Sequence, residues 1–273
     1  VVHHSEEYLN VLVKANILDA IGDDDYFWSI IKQYSRPGEK LMVFMDVNST
    51  IMCNDTSARK DTRSSLLSIM FELIEVKPRN GSFEYSWASY APFVIQKPMT
   101  LKQFVKAIHH LDKEACNAFW NEENCATLLQ QLVGLAELSW LAPPARNRQV
   151  TAERFSRDFK ECLSAVTAEF AETGIAKSWF RCYERLRQLH SSVILNSFGV
   201  DTRKVVLATV PDESQVKQIT VNYELWEDSD KNKFRDQYRI DSKEVLQGSV
   251  EGKSLGKVKQ RTRSGHGLAV SVY

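Results

Sequence analysis

The sequence predicts an α/β protein in which a parallel sheet is interrupted by a mostly helical insertion. An apolar run at residues 41–45, between Pro37-Gly38 and a polar stretch, is typical of a strand buried in a parallel sheet. A second apolar run lies at residues 193–195. Between the two runs, apolar residues at helical spacing dominate from residue 100 to residue 190. These three observations together predict the fold class.

Composition places the chain among ordinary globular proteins. Its 273 residues suit one large domain or a core with a cap, and 43% of them are apolar and 26% charged. Lys plus Arg and Asp plus Glu number 35 each, so the net charge is zero. Dedicated nucleic-acid binders usually carry a basic excess, and we therefore expect no nucleic-acid partner.

The five cysteines indicate reduced thiols inside a cell. None of them forms a C-x-x-C pair, so neither a zinc site nor a disulfide framework is predicted. The first residues lack the pattern of a signal peptide, and no run of about 18 apolar residues is present to span a bilayer. We expect a soluble, intracellular protein of the cytoplasm or an organellar matrix, with no membrane partner. A targeting segment removed before Val1 stays open.

Helices are predicted on both sides of the first strand. Apolar residues at helical spacing between residues 8 and 18 predict one helix, which Gly22 ends. A second helix is predicted over residues 26–34, after three candidate capping aspartates. A third is expected at about 64–76, and the residues that follow at 83–87 alternate like an exposed strand.

The segment from residue 100 onward is predicted to be helical. Thr100 can cap its first helix, and three more helices are expected at about 123–138, 151–172 and 176–190. Beyond the second apolar run, the pattern predicts a short helix at 202–209 and a strand at 216–226. The glycine-rich and basic residues 248–273 are expected to form a flexible tail, unless residues 268–273 are a strand.

Asp46 is the most informative polar residue because it directly follows the first apolar run. In open α/β sheets, ligands bind at the carboxyl ends of the strands. A carboxylate carried there by a rigid strand can act as a nucleophile or a metal ligand. A strand-end aspartate that caps the next turn is the simpler structural alternative.

The residues after both apolar runs resemble a known superfamily. The segment Asp46-Val47-Asn48-Ser49-Thr50 is similar to the first motif of the haloacid dehalogenase (HAD) superfamily, an aspartate followed at short spacing by a second aspartate and a threonine or valine. Ser197, after the second run, resembles the hydroxyl residue of the second motif. The resemblance implies a Rossmann-like parallel sheet core with an inserted, mostly helical cap.

The resemblance also implies domain boundaries and an activity. It implies N-terminal helices and the first core strand at 1–54, the helical cap at 55–190, the rest of the core at 191–247 and the basic tail at 248–273. The implied activity is that of a magnesium-dependent phosphohydrolase, which acts on a small phosphorylated metabolite through an aspartyl-phosphate.

The matching positions imply roles for individual residues. Asp46 would be the nucleophile, Thr50 would brace its loop, and Ser197 would bind a phosphate oxygen. Mg²⁺ would be held by Asp46, the backbone carbonyl of Asn48 and a later acidic residue. The best candidate for that acidic residue is Asp228, in an acidic stretch that also fits a surface turn. Lys217 is the candidate phosphate-binding lysine, in competition with Lys204 and Lys231.

Asn48 leaves two alternatives open. Phosphatases of the superfamily carry a general acid and base at this position, and an amide cannot do that work. The chain is therefore either a weakened phosphatase or a catalytically degenerate member, a binding or assembly subunit with a protein partner. A hydrolytic dehalogenase, which expels halide without a proton, is the further alternative. Its halide cradle would use Arg59, Lys60 or Arg63, which also fit a solvated helix face.

Overall fold

A computed structural model describes residues 2–4, 8–13, 15, 17–36, 41–56, 59–142, 145–170, 173–189, 191–195, 201–209, 219–221 and 267–272. These residues form two compact units. We call residues 1–57 with 166–273 the sheet unit, and residues 58–165 the inserted unit. The predicted domain boundaries at 54, 190 and 247 stay predictions.

Both units contain strands and helices, so the predicted α/β class is confirmed. The strands are β1 (Val2–His4), β2 (Tyr8–Val13), β3 (Leu41–Met45), β4 (Ile74–Pro78), β5 (Phe83–Tyr85), β6 (Phe93–Ile95), β7 (Met99–Thr100), β8 (Ala136–Trp140), β9 (Ser192–Leu195), β10 (Ile219–Val221) and β11 (Gly267–Val272). The helices are α1 (Tyr26–Lys32), α2 (Thr62–Glu72), α3 (Leu101–Ile108), α4 (Lys113–Phe119), α5 (Glu122–Leu132), α6 (Ala152–Phe170), α7 (Lys177–Gln188) and α8 (Asp201–Thr209), with a 3₁₀ turn at Ile17–Ala20. Among these helices, none has the length and apolarity needed to cross a membrane.

The sheet unit is built on one sheet in the order β1-β2-β11-β3-β9-β10. β1 is antiparallel to β2, and every other neighbouring pair in this sheet is parallel. The chain passes from β2 through β3 and β9 to β10 in one direction. It then returns to place β11 between β2 and β3. The strand order therefore reverses beside β3.

The two strands predicted from apolar runs, β3 and β9, are confirmed as neighbours. β3 has parallel partners on both sides, and Val43 lies opposite Val193 of β9 and Val270 of β11. The side chains of Val43, Met45 and Val193 are fully buried. Central strands of parallel sheets are usually covered on both faces, which is why such strands have uninterrupted apolar runs.

The inserted unit combines helices with a small sheet. Its strands pair antiparallel in the order β7-β4-β8, and β5 and β6 form a separate hairpin. Phe71 lies at the centre of its core, with ring centroids 5.2 Å from Phe155 and 5.6 Å from Trp120. The predicted cap at Thr100 is confirmed: its Oγ1 accepts a hydrogen bond from the Gln103 backbone N–H at 3.2 Å.

The first predicted helix is wrong, because residues 8–13 form strand β2. β2 pairs with β11 over its whole length, from Tyr8 opposite Gly267 to Val13 opposite Val272. The apolar spacing in this segment fits a helix locally. A strand partner more than 250 positions away overrides that local preference. The second predicted helix of this region is confirmed as α1.

Two further helices end earlier than predicted. The helix expected at 64–76 ends at Glu72, and the helix expected at 123–138 ends at Leu132. The residues beyond each end form β4 and β8, which pair antiparallel from Ile74 opposite Trp140 to Pro78 opposite Ala136. β4 and β8 supply backbone hydrogen bonds to each other. The residue pattern of either segment alone therefore does not show that it forms a strand.

The chain's last described residues are not a flexible tail. Residues 267–272 form β11 inside the parallel part of the sheet, which matches the alternative of a strand at 268–273. Residues 248–266 of the predicted basic tail lie outside the described residues. Of the strand predicted at 216–226, the described part is β10.

Candidate functional site

Asp46 lies at the carboxyl edge of the sheet, directly after β3. The preceding residue, Met45, is opposite Leu195 of β9 and Val272 of β11. Three parallel strands therefore end together where the half-buried Asp46 begins the loop. This is the edge at which open α/β sheets bind ligands, and here it lies beside the reversal of the strand order.

The loop after Asp46 is a tight turn built around one carbonyl oxygen. The carbonyl of Val47 accepts hydrogen bonds from the N–H groups of Thr50, Ile51 and Met52, at 3.3, 2.9 and 2.9 Å. Ser49 takes a positive φ of 60° at the tip, and its N–H donates to the carbonyl of Met52 at 2.7 Å. Thr50, the residue predicted to brace the loop, is buried within this turn.

The turn is also tied to the segment that enters α7. The carbonyl of Ile51 accepts a hydrogen bond from the Ala176 N–H at 2.9 Å, and Met52 forms an antiparallel bridge with Ile175. Gly174 makes this approach possible through a φ of 68°, in the left-handed region that favours glycine. The loop of Asp46 is thus held from two directions by backbone hydrogen bonds.

Asn48 is held by a buried carboxylate that sequence reasoning missed. The Asn48 Nδ2 donates to Asp201 Oδ2 at 2.8 Å and to the carbonyl of Asn54 at 3.1 Å. Asp201 is the first residue of α8, and its relative exposure is 0%. The one sequence signal for Asp201 is an acidic residue that opens a helix after an apolar strand. Ordinary helix caps give the same signal, so it does not distinguish Asp201 from them.

Thr56 and Lys204 complete the surroundings of Asp201. The Thr56 backbone N–H donates to Asp201 Oδ2 at 2.9 Å, and its hydroxyl donates to Oδ1 at 2.6 Å. The Lys204 Nζ lies 3.8 Å from Oδ1. Asp201 is the acceptor in each of these hydrogen bonds. The contact also occupies Lys204, one of the predicted alternatives for a phosphate-binding lysine.

Cys53 in the same loop is not a nucleophile at neutral pH. Its side chain is 2% exposed, and burial raises the pKa of the Cys53 thiol to about 12. A thiol is reactive only as the thiolate, which this environment suppresses. The Cys53 thiol therefore supplies no nucleophile to this loop.

Several predicted site residues lie outside the described residues. Ser197, Lys217 and Asp228 are among them, as is Lys231. β9 is described up to Leu195, so the segment leading to Ser197 runs beside the segment leading to Asp46 up to that point. The roles proposed for these residues stay predictions.

The basic residues after the loop have partners within the inserted unit. The Lys60 Nζ lies 5.4 Å from the ring centroid of Trp120, and Arg63 forms an ion pair with Glu122 at 3.3 Å. These contacts account for two of the three cations considered for a halide cradle. The third, Arg59, has a positive φ of 54°.

The described loop carries two of the oxygen atoms predicted to bind magnesium. In the described part of the chain, no group of three or more His, Cys, Asp and Glu side chains is placed to hold a metal ion. Magnesium usually takes only one or two carboxylates and keeps several waters. The Asp46 carboxylate and the backbone carbonyl of Asn48 are oxygen ligands of the kind it prefers. The third predicted ligand, Asp228, lies outside the described residues.

Comparison of the chain with protein-family models, with curated proteins and with solved structures finds no match.

Proposed function

We propose that the chain is a HAD-like, magnesium-dependent phosphohydrolase that acts on a small phosphorylated metabolite. In this proposal the sheet unit is a Rossmann-like core and the inserted unit is its cap. Asp46 is the nucleophile and forms an aspartyl-phosphate, which water then hydrolyses. Thr50 braces the loop, Ser197 and Lys217 bind phosphate, and Asp228 is the third magnesium ligand.

One observation carries the proposal, the position of Asp46. Its carboxylate follows a strand that has parallel neighbours on both sides, at the edge where the strand order reverses. The turn behind it is anchored through the carbonyl of Val47 and through Ala176. A rigidly held nucleophile is what in-line attack on phosphorus requires, because positioning supplies much of the rate.

The chemistry divides between the chain and the metal. The attacking Asp46 oxygen and the phosphate are both anionic, and bound Mg²⁺ would supply the positive charge that lets them approach. The chain's own part is to hold the Asp46 carboxylate in line and to present the backbone carbonyl of Asn48 beside it. The buried Thr50 and the hydrogen bonds of the turn hold the backbone that follows Asp46.

The contacts of Asn48 favour a second candidate function. Its amide is engaged with Asp201 and with the Asn54 carbonyl, and an amide transfers no proton. A catalytically degenerate HAD-like protein, which keeps the loop for binding or assembly with a protein partner, would have this arrangement. The two functions differ in whether Asp46 becomes phosphorylated.

The test is hydrolysis of 4-nitrophenyl phosphate by the full chain, with and without Mg²⁺. We expect turnover that requires Mg²⁺ and that is lost in Asp46→Asn, which keeps the size of the side chain but removes the nucleophile. Asp24→Asn is the matched control, because Asp24 forms a partly exposed ion pair with Arg181 and belongs to no proposed site.

Two results would contradict the phosphohydrolase. Equal turnover in Asp46→Asn and in the unsubstituted chain would exclude Asp46 as nucleophile. No turnover in either, together with no change of the melting temperature on addition of Mg²⁺, would favour the binding or assembly subunit.

A further inference from the structure

Both hydrogens of the Asn48 side-chain amide are donated in hydrogen bonds. One N–H donates to Asp201 Oδ2 at 2.8 Å and the other to the carbonyl of Asn54 at 3.1 Å. Both partners are acceptors, which orients the amide with its nitrogen toward them. No amide hydrogen is left to assist a departing group at this position.

The surroundings of Asp201 are built for an amide at position 48. Asp201 has a relative exposure of 0% and receives hydrogen bonds from Asn48 and from the N–H and hydroxyl of Thr56. A buried carboxylate requires donors on its oxygens, because leaving them unpaired is costly. An aspartate at position 48 would supply an acceptor where a donor is needed. Asparagine is therefore the residue that this network accommodates.

We propose that this chain hydrolyses phosphates whose leaving group departs as a stable anion, such as acyl phosphates and the phosphates of acidic phenols, and that it discriminates against alkyl phosphates. The proposal rests on the phosphohydrolase function proposed above and adds the substrate class. An alkoxide leaves only with a proton from a general acid, whereas a carboxylate or an acidic phenolate leaves without one.

The reaction balances without a proton donor. In the first step an Asp46 oxygen forms a bond to phosphorus, and the bond from phosphorus to the leaving oxygen breaks. That oxygen departs with the electron pair, as a carboxylate or phenolate. In the second step water attacks phosphorus, the bond to Asp46 breaks, and the electron pair returns to the Asp46 carboxylate. The protons of the water pass to the released phosphate and to solvent.

The second step has no base at position 48 to activate the water. A general base contributes roughly a hundredfold to ten-thousandfold in rate, and we expect hydrolysis of the aspartyl-phosphate to be slower by a factor of that size. With substrates that phosphorylate Asp46 quickly, hydrolysis of the aspartyl-phosphate then limits turnover. The phosphorylated chain accumulates in the steady state.

The loop offers one other group that could supply a proton. Asp55 is the remaining carboxyl between residues 46 and 56, and the Cys53 thiol, whose burial raises its pKa to about 12, is too weak an acid. The experiment therefore includes Asp55→Asn beside Asp46→Asn.

The experiment measures kcat/KM for acetyl phosphate, a series of substituted phenyl phosphates and glycerol phosphate, all with the full chain and Mg²⁺. We expect kcat/KM to fall as the leaving group becomes more basic, with glycerol phosphate at least about a hundredfold below acetyl phosphate. Acid-quenched chain incubated with acetyl phosphate should gain the mass of one phosphoryl group, and Asp46→Asn should not.

The outcomes separate this inference from the proposed function. Comparable kcat/KM for glycerol phosphate and acetyl phosphate, lost in Asp46→Asn, would overturn the substrate class while the phosphohydrolase stands. A selective loss of glycerol phosphate hydrolysis in Asp55→Asn would overturn it as well, because Asp55 would then be the acid. No turnover of any substrate that depends on Asp46 would overturn the phosphohydrolase and this inference together.

Discussion

At the scale of single residues, the most consequential contact is that between Asn48 and Asp201. The two residues are 153 positions apart, and their side chains meet at 2.8 Å. This contact joins the loop after β3 to the first turn of α8. The amide of Asn48 thus has a structural role in addition to its position beside the candidate nucleophile.

Replacement of Asn48 by aspartate tests that role. In Asn48→Asp an acceptor replaces the donor that faces Asp201 and the Asn54 carbonyl. We expect the free energy of unfolding to fall by about 1–3 kcal/mol at pH 7, because buried acceptors lose their hydrogen-bond donor. Urea unfolding at pH 7 measures it.

Asn121→Asp is the matched control for this substitution. Asn121 caps α5 through Oδ1, which accepts from the Asn124 N–H at 2.8 Å, and an aspartate oxygen can accept the same hydrogen bond. We expect no loss of stability in this variant. An Asn48→Asp chain as stable as the unsubstituted one at pH 7 would show that the amide is not required.

A buried histidine in the inserted unit sets a second expectation. His109 is 4% exposed, and neither ring nitrogen has a hydrogen-bond partner among the described residues. Its ring packs edge-on against Tyr90, 4.8 Å away, and against Phe119. Burial lowers the pKa of His109 below its ordinary 6.5, an effect that the carboxylate of Asp112 partly opposes and His110 reinforces.

The sign of the resulting pH dependence follows from proton uptake. Below about pH 6.5 the unfolded chain binds a proton at His109 that the folded chain does not, so stability falls as the pH is lowered. His109→Phe keeps an aromatic ring against Tyr90 and removes the titration. We expect a smaller loss of stability between pH 7 and pH 5 in this variant than in the unsubstituted chain, by chemical unfolding.

The neighbouring His110 provides the control. It is exposed, and its Nε2 lies 3.2 Å from the carbonyl of Ala91. His110→Gln should therefore keep most of the pH dependence of the unsubstituted chain, because burial is the largest cause of the lowered pKa of His109. If His109→Phe also keeps it, another group is responsible for the acid sensitivity.

At the scale of elements, β11 decides the architecture of the sheet unit. It pairs in parallel with β2 on one side and with β3 on the other. Without β11, the pair of β1 and β2 would have no strand joining it to β3. Its residues come from the segment whose composition predicted a flexible tail. β11, the neighbour of β3, is therefore an interior strand of the sheet and not a solvated terminus.

A proline in β11 tests this placement. Ala269 lies opposite Asn10 of β2 and Met42 of β3, in the middle of the strand. Ala269→Pro removes a backbone N–H from a strand that is paired on both sides. We expect the free energy of unfolding to fall by about 1–3 kcal/mol or more. Guanidinium unfolding followed by circular dichroism measures it.

Ala269→Ser is the control, because it keeps the N–H and a small side chain. It should unfold close to the unsubstituted chain. Equal stability of the proline and serine variants would mean that β11 does not occupy the interior of the sheet in solution.

At the scale of the whole molecule, the chain forms a sheet unit and an inserted unit, and each shows a different limit of sequence reasoning. In the sheet unit, the strands with strongly apolar runs were predicted, but the sequence predicted a helix where β2 lies. In the inserted unit, α2, α3 and α5 were predicted and α4 was not, and the sequence predicted helix where β4 and β8 lie. The missed strands depend on partners that lie far along the chain.

By itself, the sequence determined the α/β class, the strand that ends at Asp46, the helix cap at Thr100 and the absence of an acid at position 48. Each of these is local: burial on both faces requires an apolar run, and a capping side chain bonds the backbone three residues away. Tertiary structure alone decided that β11 lies beside β3 and that Asp201 holds Asn48. The physical reason is that backbone and buried polar groups must find hydrogen-bond partners, and those partners come from distant segments whose identity no local pattern records.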